Sequence, residues 1–169
     1  YAMGVQTIML VAANFGEKIM KLETSKLILT ILIIQIVAIL GAILMSRLSK
    51  VYGNIIVLIF VVFLWIAVCM MAYFIQNEYQ FYGLAALVGL IMGGIQSLSR
   101  STFSKFLPDN TPDTASFFSF YDVTEKLAIV AGLFSFGFIE ELTGNMRNST
   151  LALGIFFIIG LVLLFKTFK

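Results

Sequence analysis

Apolar residues fall into six long runs, at positions 1–15, 27–45, 54–75, 81–106, 114–142 and 149–165, separated by short polar breaks. A helix crossing the roughly 30 Å hydrocarbon core of a bilayer needs about 20 mostly apolar residues. Each run therefore predicts one crossing, with the first truncated. The runs are continuous rather than alternating, which argues against a membrane barrel. The breaks "GEKIMKLETSK", "SRLSKVYG", "QNEYQ", "LPDNTPDT" and "TGNMRNS" are too short to hold a soluble domain, so consecutive helices are expected to be antiparallel neighbours. The expected fold is an all-α membrane bundle of six transmembrane helices over residues 1–169.

Composition agrees with lipid as the solvent. The 169 residues are 60% hydrophobic and 12% charged, well short of the roughly 25% charge of a soluble domain. Cys69 is the only cysteine and histidine is absent, which removes an internal disulfide, a cysteine cluster, the usual zinc ligand and the usual general base. Neither a metal nor a cofactor is expected, nor a nucleic-acid partner. The chain starts inside an apolar run at Tyr1, with no basic leader, so no signal peptide is read and a longer chain is expected. With six crossings both ends share one side, where Arg47, Lys50, Arg100, Lys105, Lys166 and Lys169 would lie. Lys18, Lys21, Lys26 and Arg147 would lie opposite. That bias favours a cytoplasmic C-terminus.

The fourth span, "LVGLIMGGIQSLSRSTFSKF", places Gly89, Gly93, Gln96, Ser97, Arg100 and Ser104 on one helical face. Gly89 and Gly93 form a GxxxG pair that permits close approach of a neighbouring backbone. These small residues, Ser97 included, read equally as packing residues, and Arg100 as a side chain reaching for the interface. In the fifth span Thr111 is the expected N-cap, Pro112 suits the first helical position, and Asp113 favours the positive end of the dipole. Asp122, Glu125 and Lys126 then sit near the bilayer midplane. Asp122 and Lys126 stand four apart in the favourable acid-first order, so a local ion pair is available and one carboxylate is left over, to be protonated or to face water, substrate or Arg100. Ionised groups at that depth are expensive and usually mark an ion or substrate pathway; a structural network tying helices together is the plainer reading.

Polarity is uneven among the spans. The third and sixth carry no charge in their apolar runs, whereas the first has Gln6 and Asn14 and the second Gln35. This fits two three-helix units whose third members face lipid as outer scaffold, as in a transporter half with inverted repeats.

Between Gly93 and Ser149 the sequence combines "GGIQSLSRS", "FFSFYDVTEK" and a closing "LTG". This stretch resembles the vacuole-effluxer-like branch of the major facilitator superfamily, whose best-known relatives export amino acids from the fungal vacuole. The resemblance implies a transporter of twelve helices, of which residues 1–169 would be helices seven to twelve, with the N-terminal six-helix half of the same chain as partner. It also implies that the first and fourth helices line a central cavity, that the second and fifth border it, and that the third and sixth face lipid. A gating loop would fall at "SRLSKVYGN", with Arg47, Leu48 and Gly53 matching, Ser46 in place of the family glycine and Lys50 at the acidic position.

The expected function is half of a secondary active transporter that moves a small polar or zwitterionic solute, such as an amino acid or short peptide, by alternating access in a bacterial inner membrane. Asp122 and Glu125 are the candidates for proton or cation coupling, and Lys126 for their counter-ion or a contact to a substrate carboxylate. Arg100 and Gln96 are candidate polar cavity contacts. The competing class is a six-helix membrane module acting in binding or assembly. An enzyme is not expected, because no serine in "GGIQSLSRS" has an evident base.

Overall fold

The computed structural model describes residues 1–107 and 113–168, the side chain of Phe168 excepted. Among these are six helices: α1 (Ala2–Lys18), α2 (Thr24–Tyr52), α3 (Asn54–Phe74), α4 (Glu78–Phe106), α5 (Thr114–Thr143) and α6 (Met146–Phe168). By length and composition four of them, α2, α3, α4 and α6, can cross a membrane. That is fewer than the six runs suggested. α1 has only 17 residues, and α5 carries Asp122, Glu125 and Lys126 within its middle.

Chain punctuation follows local chemistry. Asp113, rather than Thr111, is the N-cap of α5: its carboxylate accepts from the Ser116 backbone N–H at 3.1 Å and from the Ser116 hydroxyl. Thr111 and Pro112 lie outside the described residues. Hydrogen bonds from both groups of Ser116 stabilise the charged form of Asp113 and hold its carboxyl below the usual range. The stretch expected as the loop "SRLSKVYG" is helical through Tyr52, so Arg47 and Lys50 ride on the last turns of α2. A single residue, Gly53, separates α2 from α3, with φ +87° and ψ 153°, a conformation that only glycine adopts without strain.

The helices pack mainly across the chain order. α2 lies on α4, α1 on α5, and α3 on both α6 and α4; α5·α6, α2·α3, α1·α6 and α1·α2 complete the set. Exchanging α1, α2 and α3 for α4, α5 and α6 maps this pattern onto itself, apart from α4 and α5, which meet through side chains with little backbone approach. That pair departs from the expectation that consecutive helices are neighbours. Both diagonal crossings rest on glycine. A Cβ at Gly89 would stand 2.6 Å from the Ile34 carbonyl oxygen of α2, and one at Gly93 or Gly41 would overlap the Ala38 or Leu90 carbonyl. At the α1·α5 crossing, a Cβ at Gly132 would overlap the Thr7 hydroxyl and come within 2.9 Å of the Met3 carbonyl oxygen. Such approach is how helices gain contact energy where lipid removes the hydrophobic drive.

The third helix is apolar on both its covered and its uncovered side. α3 supplies the densest part of the core, with Val57, Leu58, Val61, Val62, Trp65, Val68 and Cys69 all buried and Trp65 stacked on Phe157 of α6 at 5.5 Å. α3 and α6 pack on each other along one side and leave Phe60, Phe63 and Phe74 of α3 and Ile155, Ile159 and Leu163 of α6 exposed on the other, while α2 leaves most of its apolar surface uncovered, with 11% of its most hydrophobic window buried. Hydrophobicity cannot separate a protein-facing from a lipid-facing side chain, because both surroundings are apolar.

Polar contacts fix the two ends. At one end Lys18 pairs with Glu140 at 3.0 Å, Lys26 with Glu78 at 2.7 Å, and Arg147 donates to the Tyr73 carbonyl oxygen at 2.6 Å. At the other, Asn54 donates to the Ser101 hydroxyl at 3.1 Å and accepts from Lys105 at 3.0 Å. The latter contacts tie the Gly53 corner to the end of α4.

Candidate functional site

The polar residues gather where α1, α4 and α5 meet. Positions 96, 99, 100 and 103 of α4 and 118, 121, 122 and 125 of α5 recur at helical spacing and turn toward each other. Phe103 packs edge-on against Phe118 at 5.6 Å and at a 42° tilt against Tyr121 at 4.9 Å, which sets the separation of the two helices at that level. Above this aromatic contact Arg100 reaches across. Its guanidinium donates to Asp122 Oδ1 at 2.8 Å, stands 3.7 Å from Glu125 Oε2, and lies 5.8 Å from the centre of the Tyr121 ring. One cation is held by two carboxylates and an aromatic face.

From α1, Gln6 donates through Nε2 to Glu125 Oε1 at 2.7 Å. Tyr1 and Tyr121 hydroxyls both bond Ser99 Oγ, at 2.6 and 2.7 Å. Three hydroxyl protons serve two hydrogen bonds in this row, so one proton remains to be donated elsewhere. Tyr1, Val5, Gln6, Gln96, Ser99, Arg100, Tyr121 and Glu125 line a cleft of about 230 Å³. A second cleft of about 320 Å³ shares Tyr1, Ser99, Tyr121 and Glu125 and runs to Thr167 on α6. Asp122 is not part of either lining and acts on the cleft through Arg100.

The structure brings Arg100, Asp122 and Glu125 together and sets Gln96 in the cleft wall. It does not join Lys126 to them. Among the described residues Lys126 makes no ion pair or hydrogen bond, is exposed, and leaves Asp122 to Arg100, so the expected pair within α5 is not formed. Asp122 accepts instead a charge-assisted bond from an arginine on the facing helix, although Lys126 stands only about 40° from it around α5. The expected stripe on α4 is divided as well. Gly89 and Gly93 face α2, Ser97 returns its hydroxyl to the Gly94 carbonyl at 3.0 Å, and only Gln96 and Arg100 reach the cleft. Gln6, Ser99, Tyr121 and Tyr1 were not among the expected site residues. Their signal was present as a glutamine inside an apolar run and a tyrosine four residues before Glu125.

The described residues hold no group of three metal-binding side chains. What these features define is an integral membrane protein built as a helical bundle with a cleft lined by charged and polar side chains. The chain belongs to the family described as vacuole effluxer Atg22 like, whose model matches residues 1–167. It is 32% identical over 164 residues to the MFS-type transporter YxiO of Bacillus subtilis, covering 97% of this chain and 38% of that protein. It is 28% identical over 169 residues to autophagy-related protein 22 of Kluyveromyces lactis, covering 92% of this chain and 33% of that protein. The Saccharomyces cerevisiae protein of the same name is 33% identical over 78 residues, 46% of this chain and 14% of its own length. The chain thus spans well under half the length of these relatives.

Proposed function

We propose that this chain forms one six-helix half of a secondary active transporter of the major facilitator type, completed by an N-terminal six-helix half of the same protein. Its polar cleft would serve a small polar or zwitterionic solute, such as an amino acid or short peptide. Alternating access would expose that cleft to each side of the membrane in turn. The observation that carries this reading is Arg100, bridged to Asp122 at 2.8 Å and facing Glu125 at 3.7 Å beside a cleft lined from α1, α4 and α5. A purely structural network would close on itself, whereas this one leaves charged atoms on open space. The helix contacts, α4 and α5 excepted, are kept on exchange of the two three-helix units, which supports inverted repeats, and kinship with a protein named as a transporter supports the activity.

In this reading Glu125 exchanges the coupling proton or cation, Asp122 holds Arg100 in place, and Gln96 and Ser99 offer polar contacts to the solute. Lys126, exposed and unpaired among the described residues, is left for a partner outside this bundle. Arg47, Lys50 and Gly53 form the corner where the half would gate, and the host membrane is a bacterial inner membrane with the C-terminus cytoplasmic. The test is transport by the full-length protein in liposomes as a function of external pH, for wild type, Glu125→Gln and Asp122→Asn in parallel. Glu125→Gln is expected to fold normally and to lose the pH dependence. If both variants keep the wild-type rate and profile, neither acid couples transport and the network reading replaces this one.

A further inference from the structure

We infer that the corner where α2 turns into α3 is a docking site for the headgroup of an anionic phospholipid, held by Arg47, Lys50 and Lys105. The inference concerns one end of the bundle, away from the cleft, and does not depend on the transporter reading. Arg47 and Lys50 are exposed on the last turns of α2, and their side chains make no ion pair or hydrogen bond among the described residues. Lys105, on the last turn of α4, is drawn to the same corner by Asn54 Oδ1 at 3.0 Å. An amide oxygen orients that ammonium without neutralising it and leaves two of its three protons to donate. Three cations therefore gather at one helix corner with no counter-charge among the described residues.

The two ends of the bundle differ in this respect. Beside these three, the described residues of this end hold Lys166 and a single acid, Asp113, whose carboxylate is already taken up by Ser116. At the opposite end Lys18 and Lys26 are paired with Glu140 and Glu78, and acids outnumber cations. An anionic ligand is attracted to one end only. The surroundings then choose among anions. Val51 and Tyr52 on the end of α2 and Phe106 on the end of α4 flank the cations and are 75%, 60% and 61% exposed. Free phosphate gains nothing from them. A phospholipid sets its phosphate on the cations and its acyl chains along the apolar residues, at the depth of a bilayer where tyrosine is favoured.

The experiment titrates the purified full-length protein in detergent with dioctanoyl phosphatidylglycerol, dioctanoyl phosphatidylcholine and sodium phosphate, and counts bound molecules by native mass spectrometry. Wild type is expected to bind phosphatidylglycerol roughly tenfold or more tighter than phosphatidylcholine. Each corner charge removed is expected to weaken phosphatidylglycerol about fivefold. The triple variant Arg47→Gln, Lys50→Gln, Lys105→Gln should therefore lose the preference, whereas Lys18→Gln, Lys21→Gln, Lys26→Gln at the opposite end should keep it, each checked for an unchanged elution profile. If the corner triple variant is not recovered, Lys50→Gln alone, at an exposed side chain, carries the test through its single loss. A preference absent from wild type, kept in full by the corner variant measured, or lowered equally by changes at the two ends would overturn the inference. Sodium phosphate that displaces phosphatidylglycerol at equal concentration would also overturn it, since the corner would then hold a soluble anion rather than a lipid.

Discussion

Gly89→Ala tests how the bundle is held together. The added Cβ would lie 2.6 Å from the Ile34 carbonyl oxygen, 3.0 Å from its Cα and 3.2 Å from its carbonyl carbon. Ordinary contact begins at 3.4 Å, so α2 must withdraw by 3.4 − 2.6 = 0.8 Å at this crossing. Every neighbour named is backbone and none can rotate aside. A gap of about 0.5–1 Å forfeits roughly a quarter to a half of the dispersion energy of the atoms it separates. Overpacking of this kind costs about 1–3 kcal/mol. Alanine also favours a helix over glycine by about 1 kcal/mol, which would mask part of the loss. Gly83→Ala supplies the control, because Gly83 is on the same helix and its Cβ would meet nothing within 4 Å. The propensity gain cancels between the two variants, so Gly89→Ala is expected to be about 1–3 kcal/mol less stable than Gly83→Ala. Denaturation of the detergent-solubilised full-length protein, followed by retention of the monodisperse form, reads the difference. A gap below about 0.5 kcal/mol, the usual scatter of inconsequential substitutions, would refute the glycine-mediated crossing.

Gly93→Leu is expected to abolish detergent-stable protein while Gly154→Leu is milder, since a Cβ at Gly93 overlaps the Ala38 carbonyl and one at Gly154 meets only the Cys69 Cβ at 3.8 Å; recovery after size exclusion ranks them. A double-mutant cycle of Arg100→Gln with Asp122→Asn should give a coupling of about 0.5–1 kcal/mol, modest because both side chains are half exposed. The parallel cycle of Asp122→Asn with Lys126→Gln should give none, and the reverse order would restore the pair within α5. Gly53→Ala should cost about 1–3 kcal/mol although a Cβ there has open space, because φ +87° is strained for any other residue; a variant as stable as wild type would remove the corner from the account. Asp113 is held below the ordinary carboxylate pKa by Ser116, so its contribution is complete above about pH 3.9 and is lost as the pH falls below it. Asp113→Asn, which caps without titrating, should flatten that acid limb in thermal melts at successive pH values.

Hydrophobic run length determined the helices, since lipid leaves a spanning backbone no partner but itself. The six runs at 1–15, 27–45, 54–75, 81–106, 114–142 and 149–165 anticipate α1 to α6 to within a few residues at most ends, with Ser46–Tyr52 the largest extension. The charged positions of the site were legible for the same reason: Arg100, Asp122 and Glu125 are costly in apolar surroundings and stand out in any greasy chain. Partnership was legible only as a choice, with Arg100 one option for the carboxylate left over. Helical spacing offers Asp122 the neighbour Lys126 on its own helix, and only the placement of α4 across from α5 gives it to Arg100. Gln6 entered the site because α1 lies on α5, and Ser99 because Tyr1 and Tyr121 both reach it, contacts between residues far apart in the chain. The direction each apolar face turns was also decided by tertiary packing. Lipid and protein interior reward the same side chains, so nothing in "NIIVLIFVVFLWIAVCMMAYF" says that Trp65 is enclosed and Phe63 is not; the packing of α3 on α6, with Trp65 stacked on Phe157, does.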